Sequence, residues 1–468
     1  MDFELIIKGG SLYTGFEKFE ADIGIKDGKI TEIGSNITED AGRIIDASGC
    51  QVLPAAIDPH VHFNLELPLL GITSRDDYNR GTKAAAHGGV TTVIDYGNQQ
   101  EGGSLLAGIQ QRIDDEIEGL TAIDYSLHGC VYHWHAGVLE EMEELVARGF
   151  PTLKMFMIYS GEGWQSDEPA LLEALRRAGQ LGATVCVHCE NDLLLNHFTE
   201  QTAAAGSQAA GAYALALSRP NIVEYSAIQT VVQLCEFVDG RLYVVHTSTG
   251  EGVDIIAAAR RRGVQVFGET APQFLTLTEE VLKREDGHLF ASSPQVKTER
   301  DSERLWQGLK EDTMQVIGTD NCTFNREQKD CWDGDFRKIP RGMPGCETMF
   351  PIIYTHGYLQ RGWSLNRVVR ATSYNAARIH GLYPDKGTLA VDTDADIIIV
   401  DPEKAKHVVP GELITDCDWS PYDGMKLYGF PRYTICRGRL LVDEGEVCSG
   451  IEGHGRLVRR KAAGDIEL

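Results

Sequence analysis

Val52-Leu53-Pro54-Ala55-Ala56-Ile57-Asp58-Pro59-His60-Val61-His62 is an apolar run that ends on an aspartate, a proline and two histidines. Side chains at i and i+2 of an extended segment share one face, so His60 and His62 present their imidazoles together. Two imidazoles on one face are half of a metal site, and zinc is the usual occupant of histidine-rich sites. Asp58-Pro59 ends the strand abruptly and leaves both rings at a mouth. Most isolated H-x-H pairs are ordinary strand or surface residues. The reading therefore depends on further ligands at equivalent strand ends.

The rest of the chain repeats this strand texture at regular intervals. Apolar, β-rich runs occur at Gln51–Ile57, Val90–Ile94, Ala122–Val131, Pro151–Met157, Ala183–His188, Arg241–His246, Val264–Gly268 and Met314–Gly318. Amphipathic stretches at Asp76–His87, Leu139–Arg148, Pro169–Leu181, Ala227–Val238 and Glu251–Arg262 separate them. Eight runs alternating with helices match the rhythm of a (β/α)8 TIM barrel, an α/β fold. The runs are apolar throughout, as expected for strands covered on both faces. A doubly wound sheet is the structural alternative, and the count of eight favours the barrel.

Both ends of the chain read differently, as short strands with turn signals. Leu5–Lys8, Asp22–Lys26, Lys29–Ile33 and Arg43–Asp46 precede the barrel, and Asp396–Val400, Tyr433–Cys436 and Arg439–Val442 follow it. This predicts a small β-sandwich domain built from both termini, from 1–52 and 386–450, around a barrel at 53–385. The charged segment 451–468 is expected to be a tail.

The chain has 468 residues, 42% apolar and 24% charged, which suits a large globular core plus a smaller one. Its 44 basic against 69 acidic residues argue against nucleic acid or an anionic membrane as partner. No apolar run approaches the ~20 residues that span a bilayer, and the start lacks signal-peptide character. Eleven scattered cysteines do not form a disulfide framework, so a reducing cytoplasm is the expected compartment. Cys186-Val187-His188-Cys189 fits C-x-x-C, but it ends a strand-like run and reads as two buried thiols. There is no Gly-rich phosphate loop.

In a barrel of this type, chemistry sits at the C-terminal ends of the strands. Those ends carry His60 and His62 on the first strand, Lys154 on the fourth and His188 on the fifth. His246 follows on the sixth and Asp320 on the eighth. Each alone reads as a polar strand cap. Together they read as a ligand set. A lysine ammonium cannot ligate a cation, but a neutral amine that adds CO2 becomes a carbamate, an anionic two-oxygen bridge. His133-Trp134-His135 is a second H-x-H without partner ligands and is taken as a decoy.

At these residues the chain resembles the cyclic amidohydrolases, specifically the dihydropyrimidinase/hydantoinase group. The resemblance spans about residues 4 to 445. It is carried by Gly81-Thr82-Lys83-Ala84-Ala85-Ala86, Lys154-Met155-Phe156-Met157-Ile158-Tyr159 and Val187-His188-Cys189-Glu190-Asn191. Thr319-Asp320-Asn321-Cys322-Thr323-Phe324 and Ser373-Tyr374-Asn375-Ala376-Ala377-Arg378 extend it. The resemblance implies two zinc ions per subunit. His60, His62, Asp320 and carboxylated Lys154 would hold one, and His188, His246 and the same carbamate the other. It further implies a metal-bridging hydroxide as nucleophile, Asp320 as general base then acid, and Tyr159 as oxyanion donor. Tyr159, Ser293, Asn321 and Arg341 are the implied substrate contacts, and a homotetramer is the implied assembly. The implied reaction opens dihydropyrimidines or 5-substituted hydantoins to N-carbamoyl amino acids.

Two departures touch the substrate side. The group usually has Ser-Pro-Pro-Leu-Arg where this chain reads Ser293-Pro294-Gln295-Val296-Lys297, and Asn where Arg341 stands. Arg341 adds a positive charge that suits a substrate bearing a carboxylate or carbonyl-rich substituent. Phe63, Leu65, Leu67, Leu69 and Leu70 follow the H-x-H where the group has a loop over the substrate's exocyclic substituent. Among rivals, dihydroorotase places Arg where this chain has Asn64, while allantoinase and cyclic imide hydrolase share the site. The non-enzymatic collapsin response mediator proteins lack the metal ligands that this chain retains.

Overall fold

The computed structural model describes residues 2–100, 102–206 and 211–463. Eight parallel strands form the barrel: Ala56–Asp58, Val90–Asn98, Asp124–Cys130, Thr152–Phe156, Thr184–His188, Arg241–Val244, Gln265–Thr270 and Val316–Ile317. They are hydrogen-bonded in sequence order. The third, fourth and fifth are buried at every position, which explains their unbroken apolar texture.

The first and eighth strands are too short to pair as a ladder, and the segments just beyond them close the barrel. Asp320 N donates to His60 O at 2.9 Å, and His62 N donates to Asn321 O at 2.8 Å. Buried Asp58 braces the same seam, accepting from Thr319 N at 3.0 Å and Thr319 Oγ1 at 2.6 Å. The residues that close the barrel are thus neighbours of the candidate ligands, or the ligands themselves.

The outer helices start where side-chain caps satisfy their free N–H groups. Asp77 caps Tyr78–His87, Asp167 caps Glu168–Leu181 and Thr249 caps Gly250–Arg261. On Glu168–Leu181 the buried Leu171, Ala174, Leu175 and Ala178 recur at helical spacing and face the strands.

The first apolar run divides between two sheets. Gln51–Pro54 pairs antiparallel with Ile397–Val400 in the terminal β domain, and only Ala56–Asp58 enters the barrel. Apolarity marks a strand as buried but does not say which sheet it joins. The terminal strands, from both chain ends, form one nine-stranded sheet. Alternation sorts its two faces. Ile397 and Ile399 join the β domain's own core with Leu5, Ile7 and Val52, while Ile398 and Val400 join the barrel core with Leu53.

The expected tail does not hang free. Leu457 bridges to Tyr125 at the start of the third barrel strand. Arg460, 2% exposed, donates to Ser126 Oγ at 2.8 Å, Leu127 O at 2.6 Å and Thr152 Oγ1 at 2.7 Å. Positions 464–468 of that segment lie outside the described residues. Among the described residues, no helix is long and apolar enough to cross a membrane.

Candidate metal centre

His60, His62, Lys154, His188, His246 and Asp320 converge inside the mouth formed by the strand C-termini. The ligand atoms of His60, His62 and Asp320 lie within 4.8 Å of one another. Asp320 Oδ1 is 3.2 Å from Nε2 of both His60 and His62. The His246 ring centroid is 5.2 Å from that of His60 and 4.5 Å from that of His188. Lys154 reaches into the same space, with Nζ 5.3 Å from the Tyr96 and Phe156 ring centres.

Three of the site residues sit in the left-handed region: Tyr159 at φ 74°, His246 at φ 37° and Asp320 at φ 55°. Non-glycine residues adopt it at a cost of about 1–3 kcal/mol, which persists where the surroundings over-determine the backbone. Here the strained residues turn their side chains back over the barrel mouth.

Hydrogen bonds to the outer ring nitrogens set the orientation of the histidines. His60 Nδ1 is 2.6 Å from Glu269 Oε1, leaving Nε2 toward the site. His188 Nε2 is 2.8 Å from Glu190 Oε2, leaving Nδ1 as its free nitrogen. Glu269 is itself held by the Tyr243 hydroxyl at 2.9 Å and by His246 N–H at 2.9 Å. Gly318 is what lets Glu269 approach: a Cβ there would lie 2.7 Å from Glu269 Oε2 and 3.0 Å from His60 Cβ. Glu269, Glu190 and Asp58 escaped the sequence reading as supports. Glu269 directly follows the seventh apolar run, and its position at that strand end is the signal in the sequence that marks it.

Burial holds His60 and His246 well below the usual histidine range and His188 below it, favouring their neutral forms. Burial also lowers Lys154, opposed by Asp320 and Glu269, which favours a neutral amine. Burial alone would raise Asp320, but His60, His62 and Lys154 hold it below the usual carboxylate range. Nε2 of His60 is enclosed and makes no hydrogen bond although Asp320 Oδ1 lies 3.2 Å away, and Lys154, 1% exposed, forms no ion pair among the described residues. A buried imidazole nitrogen without a hydrogen bond, beside a carboxylate and a buried amine, suits occupation by cations. The donor set fits zinc.

The sequence pattern of the amidohydrolase family matches residues 51–441. A D-hydantoinase from Geobacillus stearothermophilus is 36% identical over 465 residues, covering 98% of this chain and 97% of the relative. A D-hydantoinase from Rhizobium radiobacter is 37% identical over 445 residues, covering 94% and 96%. The solved dihydropyrimidinase of Brevibacillus agri superposes with a TM-score of 0.95 at 35% identity, covering 98% of this chain and 99% of that one. The chain belongs to the amidohydrolase family. Within it, the chain falls in the hydantoinase/dihydropyrimidinase group.

On the substrate side, this amidohydrolase places Tyr159 and Ser293 together, with the Tyr159 hydroxyl donating to Ser293 Oγ at 3.0 Å. Asn321 differs in its use. Its Oδ1 accepts from Gly345 N at 2.8 Å and Cys346 N at 3.2 Å, so its side chain shapes a turn. Gln295 is fully buried and bonds Ser292 N and Phe290 O, which turns that departure into loop support. Phe63 packs edge-on against Tyr78 in the core, whereas Leu69, 81% exposed, lies between the short strands Glu66–Leu67 and Ile72–Thr73. His133 and His135 gain no third ligand among the described residues.

Proposed function

We propose that the chain is a binuclear-zinc cyclic amidohydrolase that opens dihydropyrimidines or 5-substituted hydantoins to N-carbamoyl amino acids. The observation that carries this reading is buried Lys154, without an ion pair among the described residues, among four histidines and Asp320 at the barrel mouth. In this reading the neutral Lys154 amine forms an N–C bond to CO2 and releases a proton. The carbamate oxygens would join His60, His62 and Asp320 around one ion, and His188 and His246 around the other. When bound, zinc supplies Lewis acidity that activates water and polarises the ring carbonyl.

The chain's own groups handle the rest. Asp320 stays ionised near neutral pH, so it accepts the proton of the attacking water and delivers it to the departing ring nitrogen. The Tyr159 hydroxyl, which donates to Ser293 Oγ at 3.0 Å, would turn that one proton to the developing oxyanion. Glu269 and Glu190 hold His60 and His188 in the tautomers that leave one nitrogen of each directed inward. The names of the hydantoinase and dihydropyrimidinase relatives support cyclic ureides as the substrate class. Allantoin and cyclic imides would meet the same site.

The test is ring opening by zinc-loaded protein of dihydrouracil, dihydrothymine, 5-substituted hydantoins, allantoin, dihydroorotate and succinimide. Ring opening of at least one dihydropyrimidine or hydantoin is expected. No turnover of any member would sink the hydrolase reading.

A further inference from the structure

Arg341 is the unusual charge at this mouth. Its backbone neighbour Met343 bridges to Asn321, next to Asp320, and Gly342 N donates to Ala291 O at 2.9 Å. The segment therefore lines the wall directly beside the reacting end of the barrel. The Arg341 side chain is partly buried, and its Nε is fully enclosed without a hydrogen-bond partner. Among the described residues Arg341 has no ion pair. The charged and titratable groups that act on it include Arg219, Tyr159, Glu190 and Glu162, and Lys329, bonded to Pro340 O, is a further cation beside it.

Those neighbours do not neutralise it. Glu190 is committed to Arg219, whose Nη1 donates to both carboxylate oxygens at 2.6 and 2.5 Å, and to His188. Arg219 Nη1 also donates to Ser293 Oγ at 3.1 Å. Its Nη2 is enclosed and has no partner, on a side chain 1% exposed. Glu162 is exposed and can be solvated. Arg219 thus touches Ser293, which accepts from Tyr159, Arg341 acts on Tyr159 through its charge, and each guanidinium keeps one enclosed donor without a partner. An enclosed N–H donor without a partner is costly, and a planar fork of N–H donors matches a carboxylate.

We propose that the Arg341 wall, with Arg219 behind it, is a carboxylate pocket, and that the preferred substrate is a cyclic ureide with an acidic exocyclic arm. This rests on the cyclic amidohydrolase reading and narrows it. A ring presented to Asp320 and Lys154 carries its substituent toward the flanking walls, one of which is the Arg341 segment. An acidic arm would there supply the counter-charge that the protein lacks.

The experiment compares hydantoin-5-acetate with its neutral methyl and carboxamide analogues on zinc-loaded wild-type protein, Arg341→Asn and Arg341→Lys. The ratio of kcat/KM for acid over neutral substrate should exceed one in the wild type. It should fall roughly 10- to 100-fold in Arg341→Asn, the scale of a lost charged hydrogen bond, and less in Arg341→Lys. Thermal unfolding of both variants checks that they fold, and the lysine variant keeps the test decisive if the asparagine one does not. An unchanged ratio, or a wild type that favours neutral arms, overturns the pocket while leaving the hydrolase reading intact. If nothing is turned over, the hydrolase reading has failed. Calorimetric titration with the same acid and its neutral analogues then decides the pocket, which is overturned if the acid does not bind more tightly or if Arg341→Asn binds it equally well.

Discussion

Glu269 Oε1 lies 2.6 Å from Nδ1 of His60, and both side chains are sealed from solvent. The pair spans 209 positions of sequence and ties the seventh strand end to the first. It fixes which imidazole nitrogen faces the site, and such partners typically carry 10–100-fold in metal affinity. Glu269→Gln should weaken zinc binding by about that factor, read by competition with a chromophoric chelator. Affinity equal to wild type would show that His60 needs no carboxylate to orient it.

Lys154→Ala removes the amine that the proposed carbamate bridge requires. Metal analysis after dialysis should fall from two zincs per chain to one or none, with loss of ring opening. Native mass spectrometry of the zinc-loaded wild type should show the mass of one added CO2, absent from the variant. Two retained zincs with full activity would dismiss the carbamate.

Asp320→Asn keeps the shape of the side chain and removes its basicity. A positioned acid/base group contributes about 10²- to 10⁴-fold, so ring opening should fall by that range. Zinc content is measured alongside, because Asp320 also touches both His60 and His62.

Lys329 offers a pH test away from the ligands. Burial pushes its ammonium down to about 7, while Nζ donates to Pro340 O at 2.7 Å and Ala291 O at 3.2 Å. An unfolded lysine titrates near ~10.4. Between these values the unfolded chain binds a proton that the folded chain lacks, so this residue makes stability rise with pH from about 7 toward ~10.4. Below about 7 both states are protonated and its contribution is flat. Lys329→Met should abolish that rise in urea unfolding compared at pH 7 and pH 10. An identical rise in both proteins would assign it to other groups.

Lys386 joins the two domains through buried charge. Its Nζ lies 2.8 Å from Asp124 at the third barrel strand, and 2.6 Å from Asp396 and 3.1 Å from Asp394 beside the β domain. Removing one partner of a buried set leaves uncompensated charge and costs about 3–5 kcal/mol. Lys386→Met should lower the unfolding midpoint accordingly, in protein of unchanged zinc content.

The sequence alone determined the barrel rhythm and named six residues that the structure brings to one mouth. Both follow from local chemistry: strands covered on two faces must be apolar, and polar residues collect where those strands end. His60, His62, Lys154, His188, His246 and Asp320 were legible because each terminates or sits within such a run. Tertiary structure decided what spacing cannot carry. It sent Gln51–Pro54 to the β domain, folded the segment ending near Arg460 under the barrel, and gave the Asn321 and Gln295 side chains hydrogen bonds that support loops. It also supplied Glu269 to His60, and left Arg341 without a counter-ion. Each of these depends on which distant backbone or side chain fills the neighbouring space, and pairings separated by tens to hundreds of residues leave no periodic trace in the chain.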